Sequence, residues 1–284
     1  AHHKRLAIEL RADLEELEVL EQGYRLHFRG QDSVDFDKVI LAFGGQPKLT
    51  GYKSIAKLNL EIVEPVPSLF TFNIKDADLH QLKGLSVPNA EVRIPGSKAR
   101  QSGPLLITHW GLSGPAVLKL SAWEARSFNE QNYQFPILVN WTGLSESALR
   151  DSLQELQSNH PRKEISNAKF QDLPQRLWTY LVQRAGIHSE KKCGELAKKE
   201  ANRLIEQLFA SPFPVNGKST FKEEFVTAGG IRLNELYLDC YELKSYPGIY
   251  AVGEMIDVDA LTGGYNFQHA WTSGYLAGRH ARSN

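Results

Sequence analysis

The stretch Gly253-Glu254-Met255-Ile256-Asp257-Val258-Asp259-Ala260-Leu261-Thr262-Gly263-Gly264-Tyr265-Asn266-Phe267-Gln268 decides how the chain is read. It follows Ile249-Tyr250-Ala251-Val252, an apolar run without alternation, which is the pattern of a strand buried on both faces. Such a strand delivers Gly253 to the carboxyl edge of a parallel sheet, where open α/β sheets bind ligands. Thr262-Gly263-Gly264 then lets backbone amides approach a ligand with no side chain in the way. A helix predicted over 266–281 starts immediately after, and its amino end carries partial positive charge. That end suits a bound anion, or a ring that becomes anionic when reduced.

Near the other end of the chain, Lys38-Val39-Ile40-Leu41-Ala42-Phe43 is a second unalternating apolar run, and it closes on Gly44-Gly45. A third candidate strand, Val226 to Ile231, is interrupted by Gly229-Gly230. Between these α/β segments the character changes. From 64 to 113 short strands and prolines dominate. Strand Phe135 to Val139 and helices from Pro115, Ser145, about Gln171 and Ser189 follow. The expectation is an α/β domain made by 1–65 and 225–284, interrupted by an inserted domain over 66–224, β-rich over 66–140 and helical over 141–224. At the amino end, Leu6, Ile8, Leu10, Leu14 and Leu17 fall mostly on one helical face, so an amphipathic helix is predicted from Lys4 to Leu17, before a small meander through 18–36. Gly274 and Gly278, four apart, predict close approach of another backbone to the last helix.

Across 284 residues, 33 Lys and Arg balance 33 Asp and Glu, which argues against a strongly basic nucleic-acid binder. With 42% hydrophobic and 23% charged residues, the composition is that of a globular chain. Cys193 and Cys240 match no disulfide framework, redox pair or zinc spacing, and no apolar run is long enough to span a bilayer. A cytoplasmic setting without membrane or nucleic-acid partners is therefore expected. The first residue is Ala1 and the only methionine is Met255, from which the chain is expected to be a carboxyl-terminal piece of a longer protein.

Other candidates carry less chemistry. Gly111-Leu112-Ser113-Gly114 lacks the second glycine of a nucleophile elbow and runs into Pro115, so Ser113 is read as a helix cap. Glu254, Asp257 and Asp259 fit no calcium loop, and no metal is expected. The lysine pairs 191–192 and 198–199 lie among glutamates and read as a solvated face. His109 and His269 are the histidines nearest the motifs, but no catalytic residue is assigned.

Taken in order, Val39 to Gly45, Leu106 to Ala116, the glycine pair of 226–231 and the tail from Pro247 to Gly278 resemble the aminoacetone-oxidase-like FAD-binding flavoproteins of the two-dinucleotide-binding superfamily. The resemblance implies a glutathione-reductase-like FAD domain and an FAD-dependent oxidoreductase acting on a small molecule, with oxygen or NAD(P) as redox partner. It carries cofactor-binding roles to Gly44 and Gly45 at the first strand end, and to Gly253 and Glu254 at the second. Asp257 and Val258 would lie along the cofactor chain, and Gly263, Gly264, Tyr265 and Asn266 at the flavin's pyrimidine edge. This sequence departs from the family in lacking the Gly-x-Gly-x-x-Gly fingerprint that binds the ADP half. The alternative left open is a non-catalytic fragment or binding module that holds no FAD by itself, dimeric through exposed sheet surface.

Overall fold

The computed structural model describes residues 7–218 and 226–283. The chain divides into two compact units, one of residues 1–66 and 226–284, the other of 67–225. The first unit opens with β1 (Leu14–Val19), β2 (Tyr24–Phe28) and β3 (Val34–Phe36), an antiparallel sheet, and continues with β4 (Val39–Leu41). A ten-residue 3-10 stretch, Leu49–Leu58, leads to β5 (Ile62–Ser68). The second unit runs through β6 (Phe72–Asn73), α1 (Ala77–His80), β7 (Ser86–Arg93), β8 (Arg100–Ile107) and β9 (Gly111–Ser113). Then come α2 (Pro115–Trp123), α3 (Ala125–Glu130), β10 (Gln134–Asn140), α4 (Glu146–Asn159), α5 (Gln175–Arg184), α6 (Lys198–Phe209) and β11 (Ser211–Asn216). The first unit resumes with β12 (Val226–Ile231), β13 (Leu236–Tyr237), β14 (Glu242–Leu243), β15 (Ile249–Ala251) and α7 (Tyr265–Ser283). The fold is mixed α/β.

In the first unit β4 and β15 pair in parallel, Ile249 opposite Val39 and Ala251 opposite Leu41, at the edge of a sheet ordered β13-β14-β15-β4. Burial on both faces explains the missing alternation of β15, all three of whose residues are buried. The same expectation fails for β4, where Val39 and Leu41 are buried and Ile40 is 42% exposed because only one face of this edge strand is covered. Leu17, Tyr52, Ile55, Leu58, Ile231 and Met255 fill the core around them. β12 pairs with β5, and Gly229 is needed there because a Cβ would lie 2.6 Å from the Glu64 carbonyl oxygen.

In the second unit six strands form an antiparallel sheet ordered β11-β10-β7-β8-β9-β6. The Phe72–Lys218 bridge and the Asn73 amide bonded to the Gly217 carbonyl (2.9 Å) return β6 to the chain leaving β11, closing a barrel that leaves no free edge. Phe70, Phe72, Phe128 and Phe135 fill it, the last two stacked with centroids 3.8 Å apart. Phe170 stacks on Trp178, whose indole N–H donates to the Ile165 carbonyl, where the helices α4 to α6 meet.

Two expectations fail for identifiable reasons. Residues 14–19 form a strand, not the end of a helix, and 7–13 are not helical; residues 4–6 of that expectation lie outside the described residues. Leucine and glutamate favour helix locally, but pairing with β2 buries Leu17 completely and sets Glu15 and Glu16 against Arg29 and Lys57, so tertiary pairing overrides propensity. β11 lies within the stretch 141–224 expected to be helical; its prolines, Pro212 and Pro214, point outward while Ser211, Phe213 and Val215 are buried, so a strand forms there. Helices α5 and α6 also start later than expected, at Gln175 and Lys198.

Ser121 on α2 accepts the Phe70 amide (2.9 Å) just after Leu69, which adopts a left-handed φ of 54°, and both groups are buried. Ser121→Ala orphans that amide and should destabilise the protein by about 1–3 kcal/mol in denaturant unfolding. A change of less than about half the lower figure would show that the amide finds another acceptor.

Candidate functional site

Parallel pairing of β4 with β15 places their carboxyl ends side by side. The ladder continues one step, Val252 N–H donating to the Leu41 carbonyl (3.0 Å), and both chains then turn on glycines with left-handed φ, Gly44 at 74° and Gly253 at 70°. Gly253, Glu254, Gly44 and Gly45, read from opposite ends of the sequence, thereby meet at one sheet edge. A Cβ at Gly44 would meet nothing within 4 Å, so space is open above it. Gly45 serves differently, since its Cβ would lie 2.8 Å from Glu254 Cδ and 2.9 Å from Thr227 Oγ1. It is small so that the Glu254 carboxylate and Thr227 can pack against the turn.

Glu254 is held by the Thr227 amide, which donates to Oε1 at 2.7 Å. That bond ties the first residues of β12 to the β15 turn. The Asp257 amide donates to the Ile231 carbonyl (2.8 Å), and Ile231 and Ile256 form a parallel bridge, so Asp257 and Val258 extend along β12. Tyr52 sends its hydroxyl to the Met255 carbonyl (3.3 Å); burial, with Glu254 and Asp257 nearby, pushes its pKa up to about 12. It is a neutral hydrogen-bond donor at any physiological pH.

The loop before α7 is closed by one side chain. Asn266 Oδ1 accepts from the Ala260 amide (2.8 Å) while its Nδ2 donates to the Ala260 carbonyl (2.9 Å), an exchange that fixes residues 260–266. Both amide atoms of Asn266 are thus engaged in holding the loop. Gly263 (φ 135°) and Gly264 (φ 87°) turn into the helix; a Cβ at Gly264 would meet nothing within 4 Å, and Gly263 backs onto the exposed Tyr265 ring. The open positions, Gly44 and Gly264, are those where a flat group could approach the backbone.

Several residues that hold the site were not assigned from sequence. Ser273, fully buried, accepts the Gly253 amide at 2.9 Å and donates back to the His269 carbonyl (2.9 Å), so α7 braces the β15 turn. His269 lies beside the same turn, its Nε2 buried without a partner. Burial lowers its pKa, partly offset by a hydrogen bond to the Gly253 backbone. The inward spacing of 269, 273 and 277 on the predicted helix was the available signal. Ser113 does not cap α2: its Oγ lies 3.1 Å from Thr71 Oγ1, and Gly114 occupies the cap position. Cys240, Glu242 and His280 bring ligand-type atoms within 4.8 Å of one another. Tyr250 Oη, however, is 3.0 Å from His280 Nδ1, and Glu242 Oε1 accepts the Gly248 amide, so the group ties α7 to the sheet. Gly274 and Gly278 have nothing within 4 Å of a built Cβ, and Phe267, Trp271 and Tyr275 stand exposed on α7. Among the described residues no helix is long and apolar enough to cross a membrane.

The His269 environment has a definite pH signature. Its neutral form is favoured in the folded state, so its stabilisation is complete above the ordinary value of 6.5 and is lost as pH falls from there through the lowered folded value. The melting temperature should fall over that window, and His269→Asn should flatten the fall. An unchanged profile in the variant would show that other groups set it.

Residues 66–226 match the family described as HI0933-like protein barrel and H2TH domain. The chain is 32% identical over 265 residues to a ribosomal RNA dihydrouridine synthase of Escherichia coli, covering 90% of this chain and 63% of that relative. A ribosomal RNA dihydrouridine synthase of Haemophilus influenzae is 26% identical over 278 residues, covering 94% of this chain and 66% of the relative. A 3-dehydro-bile acid delta(4,6)-reductase of Clostridium scindens is 27% identical over 288 residues, covering 94% of this chain and 67% of the relative. The chain therefore spans just under two thirds of the length of the two synthases. These synthases overturn the expectation of a small-molecule oxidoreductase without nucleic-acid partners. Balanced net charge misled, because a sum over the whole chain says nothing about where charges and rings gather. With its barrel unit matched end to end, and nine tenths of its length aligned to one relative, this chain belongs to the HI0933-like family.

Proposed function

We propose that this chain supplies the flavin-end site of an FAD-dependent reductase that saturates a carbon–carbon double bond conjugated to a carbonyl, with uridine in RNA as the substrate. The names of the relatives share that chemistry. Dihydrouridine is uridine with its ring double bond saturated, next to a ring carbonyl, and a 3-dehydro delta(4,6) bile acid carries double bonds conjugated to its 3-oxo group. Nucleic acid is preferred as substrate because the synthases include the relative at 32% identity.

The observation that carries the reading is the convergence of the two glycine turns at one parallel sheet edge, with open space above Gly44 and Gly264. The residues present fit the flavin half of FAD. Left-handed glycines let a flat ring lie against backbone, and the start of the 19-residue helix α7 favours negative charge where the ring gains electrons. Bound flavin would supply the hydride for one carbon of the double bond, with a proton added to the other. Glu254, braced by Thr227, and Asp257 would line the cofactor's chain, while Asn266 keeps the 260–266 loop in place. Gly253 and Gly263 set the two turns, and Gly45, Val258 and Tyr265 support them by packing. The ADP half would need residues beyond these, since the sequence contains no Gly-x-Gly-x-x-Gly. FAD is assigned here; a nicotinamide partner is not.

Incubation with FAD, desalting and a visible spectrum test the cofactor, and mass spectrometry of ribosomal RNA treated with the reduced protein tests the substrate. Retained flavin and newly formed dihydrouridine are expected. Flavin without dihydrouridine would remove the substrate assignment, and no flavin would remove the cofactor site from this chain. Gly44→Val should weaken flavin binding at least about ten-fold, roughly 1.4 kcal/mol. Equal binding by the variant would take Gly44 out of the site.

A further inference from the structure

We infer that the β7–β8 hairpin is a phosphate clamp for the RNA chain, formed by Arg93, Lys98 and Arg100; this rests on the RNA reading proposed above. The balanced total charge conceals a split between the two units. Residues 67–225 carry 20 Lys and Arg against 16 Asp and Glu, whereas the rest of the chain carries 13 against 17, so the unit with the barrel is the cationic one. Within it, the run from Arg93 to Arg100 holds three cations in eight residues and no acid.

The pairing of this hairpin brings like charges together. Arg93 stands directly opposite Arg100 in the antiparallel ladder, so both side chains leave the same face, while Val92 beside them is fully buried on the other. Like charges directly opposite destabilise a strand pair. The acid nearest in the ladder, Glu91, sits opposite Ser102, and among the described residues Glu91, Lys98 and Arg100 make no ion pair. Arg93 lies over the Phe209 ring, 5.0 Å from its centroid, which holds the guanidinium in place and leaves its charge. An anion shared by the two arginines removes the repulsion, and a phosphate matches the paired donors of a guanidinium.

The tip that carries Lys98 is fixed. The Ile94 amide donates to the Ala99 carbonyl (3.0 Å), the Ser97 amide to the Ile94 carbonyl (3.2 Å) and the Ala99 amide to Ser97 Oγ (3.0 Å). Ile94 and Ala99 pack against the barrel core, so the turn is anchored at both sides of its base. Gly96 makes the turn with φ of 74°, and a Cβ built there meets nothing within 4 Å, so the tip is open to a second chain. Cations held on a rigid support meet a phosphate with less loss of freedom than cations on a loop.

The test is fluorescence anisotropy of a labelled dodecauridylate with the whole chain, repeated between about 50 and 200 mM salt. Changing Lys98→Gln together with Arg100→Gln should weaken binding at least about five-fold at the lowest salt and reduce the slope of log affinity against log salt by about 1.4, roughly 0.7 for each lost phosphate contact. The melting temperature of that variant should be unchanged or higher, because the opposed arginines are relieved. Lys198→Gln with Lys199→Gln, which removes the same charge from the exposed first turn of α6, should bind within about two-fold of wild type. Equal binding and slope in the hairpin variant, or the same loss in the α6 variant, overturns the clamp and leaves the RNA reading standing. Competition by polyglutamate as strong as by unlabelled RNA also overturns it, because the surface then reads charge and not phosphate. No binding by the wild type overturns the clamp as well; the RNA reading then falls with it only if ribosomal RNA treated with the reduced protein gains no dihydrouridine.

Discussion

Val39, Ile40 and Leu41 lie parallel to Ile249, Tyr250 and Ala251, residues some two hundred positions away, and the candidate site exists only because of this pairing. A parallel ladder cannot be closed by a tight turn, so it requires everything between to leave the sheet and return. Once made, it aligns two strand ends in the same direction and stacks the Gly44 and Gly253 turns at one edge. Tyr250 and Ala251 carry no polar side-chain groups into the cluster except the Tyr250 hydroxyl, which His280 on α7 meets at 3.0 Å. Sheet and last helix are thus fastened by the same short strand.

Around that pairing, several backbone polar groups are met by side chains. The Gly253 amide is met by Ser273, the Thr227 amide by Glu254 and both polar groups of Ala260 by Asn266. Such fixed backbone is what close approach of a flat cofactor requires, since a group that must first find its own partner cannot also present a rigid face. The unit with the barrel uses a different arrangement: β6 returns to the chain leaving β11, and aromatic rings fill the space within.

The names of the relatives share one chemistry, the saturation of a ring double bond conjugated to a carbonyl. A double bond conjugated to a carbonyl is flat and accepts hydride at the far carbon, whether the ring is a pyrimidine or a steroid. What must differ is how the rest of the substrate is held.

Local pattern alone marked the strands that lead to Gly44 and Gly253, the helix after Gly264, and α2, β10 and α4 of the second unit, because apolar runs, helix starts and glycine-bounded turns leave their mark on neighbouring residues. It failed for β1, whose leucines and glutamates suit a helix until β2 pairs with them, and for β11, where outward prolines hid a buried alternate face. It also misjudged the partner, since equal counts of positive and negative residues conceal where they gather. The roles within the site belonged to tertiary structure. That Gly45 makes room for Glu254 depends on segments far apart in the chain, and that Asn266 closes its own loop and Ser273 braces Gly253 depends on how the chain folds back over six and twenty residues. By itself the sequence determined which residues turn and which are buried; which of them meet was decided only when the two ends of the chain paired, because a parallel ladder is specified by no local residue pattern.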